Sequence, residues 1–356
     1  MKTVFLESHN IKNLYFGFGQ FNYHLIKALA KIEHPDYKII LHGKDIDWLK
    51  KEFGASFDYK KSFSLRRYAP FRIRKKYDLW HSLNQNIKIE PYHDIPYLLT
   101  VHNITHIKNP DSYLHEKVHQ RFQNKLNRST AITYISEFAK QSTHQYFNVP
   151  NVPEHVIYNG NPLTNVNLPD NFEPPLVPQK PFLFSIGQIT ARKNFISLVK
   201  MLPMLKDFQL IIGGKNTTET ANELMEEAEK LGVKDRIFLI GNISENQKKY
   251  YYKKCDAFVF PSLREGFGLP VIEAMLFGKP VFTSNNTSLP EIGGKIAYYW
   301  DHYNPEYMAQ IFNKGMQHFS EHKEEFQKKS IERANHFNWD AAAQQYAQVY
   351  QSIISK

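Results

Sequence analysis

Short unbroken apolar runs alternate along this chain with stretches in which apolar residues return every three or four positions. In the first half the runs are "KTVFLE" (2–7), "YKIILHG" (37–43), "YLLTVH" (97–102) and "AITYIS" (131–136). In the second half they are "PFLFSIG" (181–187), "FQLIIGG" (208–214), "RIFLIG" (236–241), "AFVFPS" (257–262) and "KPVFTS" (279–284). Most are continuously apolar, which fits parallel strands buried on both faces. Between them "ANELMEEAEKLG" (221–232) reads as a helix stopping at Gly232, and "NWDAAAQQYAQVYQSI" (338–353) as another. Strand and helix alternating over the whole length predict an α/β fold of doubly wound sheets.

The alternation breaks once, at "NPLTNVNLPDNFEPPLVPQKP" (161–181), which is rich in proline and asparagine and lacks periodicity. The reading is a first domain at 1–165, a linker at 166–180 and a second domain at 181–335. A C-terminal helix at 336–356 is free to pack on either domain, including back on the first. A length of 356 residues also favours two domains over one.

Composition narrows the picture. The single cysteine, Cys255, excludes an intramolecular disulfide and any cysteine-rich zinc pattern, so a reducing cytoplasm is expected. The first apolar run is too short for a signal peptide, and no run is long enough to span a bilayer. The net charge of +10 calls for an anionic partner: nucleic acid, a lipid surface or a phosphorylated small molecule.

Doubly wound domains bind ligands beyond the carboxyl ends of their strands, and the unusual residues fall there. "REGFGLPVIEAMLFGKP" (264–280) follows the run at 257–262. Gly266 and Gly268 allow close backbone approach, Pro270 suits the first helical position, and Gly278 closes the helix. The helix N-terminus favours an anion. Glu273 is read in or near the first helical turn and Glu265 before it. At different backbone levels, the two carboxylates suit two parts of one elongated ligand better than one metal ion. Taken alone, each has a blander reading: a helix-dipole carboxylate for Glu273, an exposed loop charge for Glu265.

"SIGQITARKNF" (185–195) places Arg192 and Lys193 after a strand and before a helix capped by Asn194. Two cations there suit a diphosphate, the alternative being a solvated basic pair. "NIKNLYFGFGQFNYHLIKAL" (10–29) sets Gly17 and Gly19 in a turn before a helix, a weak signal that gains weight from following the first strand. "LLTVHNITHI" (98–107) ends a buried-looking strand at His102, read as a hydrogen-bonding group aimed into a cleft or as a satisfied histidine beside a cap at Asn103.

The segment 264–294, with two glutamates separated by seven residues, resembles the donor-binding signature of the retaining glycosyltransferase family 4. "YISEFAKQ" (134–141) and "VIYNGN" (156–161) resemble two further family segments in the right order. The resemblance covers nearly the whole chain. It implies the GT-B fold, two Rossmann-like domains facing across a cleft. It also implies a nucleotide-diphosphate sugar as co-substrate, GDP-mannose or a UDP-hexose, with no cofactor and no metal. The acceptor would be a hydroxyl of a glycan or lipid-linked molecule in surface polysaccharide synthesis.

Residue by residue, the resemblance implies that Glu273 binds the ribose hydroxyls and Glu265 the transferred sugar. Backbone amides near Gly266, Phe267, Gly268 and Leu269 would meet the sugar and phosphates. Arg192 and Lys193 would neutralise the diphosphate, His102 would touch the sugar from the other domain, and Gly17 and Gly19 would line the cleft. The catalytic set would be His102, Arg192, Lys193 and Glu265. Two departures stand out: Gly187-Gln188 replaces the frequent Gly-Arg, and His102-Asn103 the frequent His-Asp. The Arg-Lys-Asn sequence at 192–194 resembles a mannosyl-type subgroup.

Other enzymes remain open on the residues alone: a sugar-nucleotide epimerase, or a glycosidase using two carboxylates. A non-enzymatic anionic-surface module would leave the turn chemistry at 264–280 unexplained. No nucleic-acid motif is present. One feature belongs to none of these sites. "KKSFSLRRYAPFRIRKKY" (60–77) carries Lys60, Lys61, Arg66, Arg67, Arg72, Arg74, Lys75 and Lys76 with no acidic residue, interleaved with Phe63, Leu65, Tyr68, Phe71 and Ile73. Such a segment suits an anionic membrane and a peripheral position at its inner face. One alternative is a solvated connection with its aromatics tucked into the core, and a third reading is contact with an anionic glycan or nucleic acid.

Overall fold

The computed structural model describes residues 1–104 and 115–355; residues 105–107 of the His102 stretch lie outside them. The chain forms two compact units, Met1–Pro162 with Asn338–Lys356, and Leu163–Phe337.

The first unit is built on strands β1 (Lys2–Glu7), β2 (Tyr37–Gly43), β3 (Asp58–Lys61), β4 (Leu79–Ser82), β5 (Tyr97–Val101), β6 (Ala131–Tyr134) and β7 (Glu154–Val156). They pair in the order β3-β2-β1-β4-β5-β6-β7. Every pairing in it is parallel, for example Val4 opposite Ile39 and Leu79. Helices α1 (Gly17–Leu29), α2 (Ile46–Phe53), α3 (Lys117–Arg128) and α4 (Glu137–Tyr146) connect the strands. In α4, Ser136 caps the N-terminus by accepting from the Ala139 N–H at 3.0 Å, which accounts for the serine of the "YISEFAKQ" segment.

The second unit has β8 (Phe182–Ile186), β9 (Gln209–Gly213), β10 (Ile237–Leu239), β11 (Ala257–Phe260), β12 (Val281–Ser284) and β13 (Tyr298–Trp300). Their order is β10-β9-β8-β11-β12-β13, again parallel throughout. The helices are α5 (Phe195–Met201), α6 (Glu219–Lys230), α7 (Glu245–Lys254), α8 (Leu269–Leu276), α9 (Leu289–Gly293), α10 (Pro305–Glu321) and α11 (Lys323–His336). Gly232 ends α6 at φ +66°, with its N–H bonded to Glu229 and that of Val233 to Ala228, a Schellman stop.

The C-terminal helix α12 (Trp339–Ile354) belongs to the first unit. Its Tyr346 and Tyr350 are fully buried. The Tyr350 hydroxyl meets His81 Nδ1 at 2.8 Å, and His81 Nε2 meets Thr100 Oγ1 at 2.8 Å, so the helix is hydrogen-bonded into the sheet. A Cβ on Gly160 would lie 2.3 Å from the Trp339 nitrogen, so the glycine of "VIYNGN" is needed where the two segments touch.

Candidate functional site

In each sheet the strand order reverses once, between β1 and β4 in the first unit and between β8 and β11 in the second. Such a switch point opens a crevice at the carboxyl ends of the two strands. In the second unit the loops leaving β8 and β11 are strapped together: the Leu263 N–H donates to the Arg192 carbonyl at 2.9 Å. Gly187 (φ +148°) and Gly214 (φ +131°) let the neighbouring loops close up, since a Cβ on Gly214 would lie 2.1 Å from the Gly187 carbonyl oxygen.

This packing gathers a compact ionic cluster. Lys193 Nζ donates to Glu265 Oε1 at 2.5 Å, and Ser262 Oγ donates to the same oxygen at 2.6 Å. Arg192 stands 4.0 Å from Glu265 Oε2 and donates to the Arg264 carbonyl at 3.3 Å. Burial pushes the Glu265 carboxyl upward, but Lys193, Arg192 and Ser262 outweigh it and hold it below the ordinary range. Burial lowers the Lys193 ammonium against the pull of Glu265. The Lys193 ammonium also lies 4.6 Å from the centre of the Phe260 ring. Two cations therefore face one carboxylate, and half-exposed Arg192 carries the excess positive charge toward solvent.

Several expectations change here. Glu265 is not an exposed loop charge; its side chain is only 12% exposed. Lys193 is buried rather than solvated. Asn194 sits at the α5 N-cap but in the left-handed conformation (φ 53°) and makes no side-chain cap; the turn geometry takes precedence. Glu273 is the fifth residue of α8, beyond the first turn, so the helix-dipole reading fails. It is buried instead, with Oε1 accepting from Lys248 at 2.6 Å and Oε2 from the Tyr252 hydroxyl at 2.9 Å. Pro270 takes the second helical position, after Leu269.

The turn between them is held firmly. Gly268 (φ +111°) is the N-cap of α8. Phe267 is buried edge-on against Phe337 at 5.4 Å. Ser288 Oγ reaches the carbonyls of Glu265 and Phe267 at 3.0 and 2.9 Å, and the Glu265 N–H donates to Thr287 Oγ1 at 3.0 Å. Ser262, Thr287, Ser288, Lys248 and Tyr252 were not legible as site residues. Lys248 and Tyr252 are four apart on α7 and share a face, but nothing local ties that face to Glu273.

In the first unit, Gly17 and Gly19 lie within the first turn of α1, not in a turn before it. A Cβ on Gly19 would fall 2.0 Å from the Asn13 carbonyl oxygen, so this glycine serves the approach of the β1–α1 loop, while Gly17 meets nothing within 4 Å. His102 is 4% exposed, with Nε2 donating to the Leu83 carbonyl at 2.8 Å and Phe18 and Phe21 edge-on to its ring. Burial lowers its pKa to about 4, so the ring is neutral near pH 7 and keeps Nδ1 as its acceptor. The described residues hold no group of three His, Cys, Asp or Glu arranged for a metal ion.

Two parallel Rossmann-like sheets, with a cation–carboxylate cluster at one switch point, define the architecture of the GT-B glycosyltransferases. Residues 17–164 match Glycosyltransferase Family 4 and residues 169–333 match the glycosyl transferases group 1, so the chain belongs to this glycosyltransferase family. It is similar to the O-antigen chain mannosyltransferase RfbU of Salmonella typhimurium, 31% identical over 208 residues, which cover 57% of each protein. It is also similar to the O-antigen chain mannosyltransferase B of Escherichia coli, 25% identical over 99% of this chain and 100% of that one. The chain thus aligns with about half of the first relative's length and all of the second's. Among solved structures, Anabaena HepE in complex with UDP and glucose superposes with a TM-score of 0.71, at 17% identity, over 99% of this chain and 100% of that one.

Proposed function

We propose that this chain transfers a hexose, with retention of anomeric configuration and without a metal ion, from a nucleotide-diphosphate sugar to a hydroxyl of a growing surface glycan or its lipid-linked precursor. The observation that carries the reading is the Lys193–Glu265–Ser262 cluster with Arg192 beside it, at the switch point of the second unit. Arg192 and Lys193 supply the charge that stabilises a departing diphosphate, which a metal ion would otherwise provide. Glu265, kept ionised, accepts hydrogen bonds from hydroxyls of the transferred sugar. Glu273 has one donor on each carboxylate oxygen, and each oxygen keeps a further lone pair for a ribose hydroxyl. The acceptor attacks from the face the leaving group departs, and a donor phosphate oxygen takes its proton.

The two relatives named above are mannosyltransferases, which favours a mannosyl nucleotide over a UDP-hexose as donor. A glycosidase needs one carboxyl kept protonated as an acid. Glu265 is held low and Glu273 is engaged by Lys248, so the pair does not fit that chemistry.

The test is a panel of GDP- and UDP-sugars screened for thermal stabilisation in the presence of a chelator. The best binder is then supplied with glycan and lipid-linked acceptors, and the product's anomeric configuration is read by NMR. Stabilisation by GDP-mannose above all others, and an α-linked product, is the expected result. A requirement for divalent metal, an inverted product, or epimerisation of the free donor would each overturn the corresponding part.

A further inference from the structure

We propose that residues 60–77, together with Tyr92, form a surface by which the first unit docks on an anionic lipid bilayer. In the structure, Phe63, Leu65, Tyr68, Phe71 and Tyr92 are all large, apolar or amphipathic, and between 45% and 51% exposed. They are not tucked into the core. Ile73 and Tyr77, by contrast, are buried and anchor the segment from beneath. Two short 3₁₀ turns, Ser64–Arg67 and Ala69–Phe71, present the exposed side chains just after the edge strand β3. Tyr92 joins them because its N–H donates to the Ile73 carbonyl at 3.2 Å and Ile73 bridges to Pro91.

The charge on this surface is uncompensated. Among the described residues, none of the cations Lys60, Lys61, Arg66, Arg67, Arg72, Arg74, Lys75 and Lys76 makes a salt bridge. The nearby acids are Asp58, paired with Lys38, Asp78, bonded to Thr3, Glu90, paired with Lys125 and Arg128, and the exposed Asp94, 4.0 Å from Arg128. Arg66 lies over Phe63 at 4.6 Å, Arg67 over Tyr68 at 5.1 Å and Arg74 over Tyr92 at 5.4 Å. Cations are thereby held beside apolar rings on one surface. Aromatic and aliphatic tips then reach the headgroup–acyl boundary while guanidinium and ammonium groups meet lipid phosphates. The short turns form no element that reads a duplex groove; a single strand would use the same charge and rings, and the experiment separates it from lipid. No described helix is long and apolar enough to cross a membrane.

The experiment is co-sedimentation of the full chain with phosphatidylcholine vesicles, with or without phosphatidylglycerol, at low and high salt. Two multiple variants are run beside it. One replaces Arg72, Arg74, Lys75 and Lys76 by Gln, and the other carries Leu65→Ser and Phe71→Ser; circular dichroism and thermal melts confirm that both fold. The expected result is binding to the anionic vesicles, weakened by salt. Each variant should lose at least about tenfold in affinity. No binding to anionic vesicles at low salt overturns the proposal. So does loss in the charge variant alone with tighter binding to a single-stranded oligonucleotide, which would mark a nucleic-acid surface. Vesicle binding without any glycosyl transfer would sink the enzymatic reading and leave this one standing; transfer without vesicle binding would do the reverse.

Discussion

At the scale of single residues, the second unit's site depends on side chains that hold other side chains. Glu273 is fixed by Lys248 and Tyr252, so its role can be tested through a residue that need not touch the ligand. Tyr252→Phe removes one donor to a buried carboxylate, a hydrogen bond worth about 1.5–3 kcal/mol when one partner is charged. If the ribose reading holds, the variant should bind nucleoside diphosphates roughly tenfold more weakly, and 2′-deoxy analogues with a smaller loss. Calorimetric titration of both ligand types checks it; an equal loss for both would make Tyr252 a packing residue. A second residue-scale prediction concerns acid. Burial lowers His81 to about 3 and His102 to about 4, so these two rings are neutral in the fold above those values. The unfolded chain protonates them below about 6.5, binds more protons than the fold, and gains stability relative to it as pH drops. Each such ring costs about 1.4 kcal/mol per pH unit in that window. His9 opposes the trend: Glu7 raises its pKa against the effect of burial, so its proton favours the fold. His81→Gln should remove one ring's share, flattening the loss of stability from pH 6.5 to 4.5 by about 1.4 kcal/mol per unit in urea melts. An unchanged slope would show that His81 is not kept neutral.

At the scale of elements, the strands that announced themselves are those long and apolar enough to read alone, such as β2, β5 and β9. Four did not: β3 is "DYKK", β4 "LWHS", β7 "EHV" and β13 "YYW". Three of these lie at sheet edges, where a strand need not be apolar. β4 is central and fully buried, but its His81 and Ser82 look polar until their partners across the fold are known. The site was legible on the same terms. Arg192, Lys193, Glu265 and the glycine turn stand in local sequence, whereas the pairing of Lys193 with Glu265 spans 72 residues and needed the switch point. Glu273 falls just beyond the first turn because α8 starts at Leu269, and its partners come from a different helix, which local sequence does not show. The close loop packing gives an element-scale prediction. Gly214→Ala forces a side chain at φ +131° against the Gly187 carbonyl and should cost about 3 kcal/mol. It should also weaken nucleotide binding by displacing the Gly187–Asn194 turn. Retained stability and affinity would mean that this turn is free to move without affecting the site.

At the scale of the molecule, the chain leaves the first unit after Pro162, builds the second, and returns at Asn338 to complete the first with α12. The helix at 338–353 was legible from its sequence alone, and its buried tyrosines explain why it cannot stand alone. Tyr346, Val349, Tyr350, Ile353 and Ile354 are all buried. At about 1.5–3 kcal/mol for each large apolar side chain, they rival the 5–15 kcal/mol that stabilises a typical domain. Truncation after Phe337 should therefore leave the first unit unfolded and protease-sensitive, with the second still resistant, as limited proteolysis and mass spectrometry would show. A folded first unit in the truncated chain would mean that α12 is dispensable.

The central claim is that the cluster at the second unit's switch point receives a diphosphate. It is tested most directly by calorimetric titration of the preferred nucleoside mono- and diphosphate, with chelator present, against the wild type and Arg192→Ala. Arg192 is half-exposed, so its removal should leave the fold intact. The wild type should prefer the diphosphate, and the variant should lose roughly 1.5–3 kcal/mol of diphosphate binding with little change for the monophosphate. Equal losses for both ligands, or none for either, would contradict the assignment.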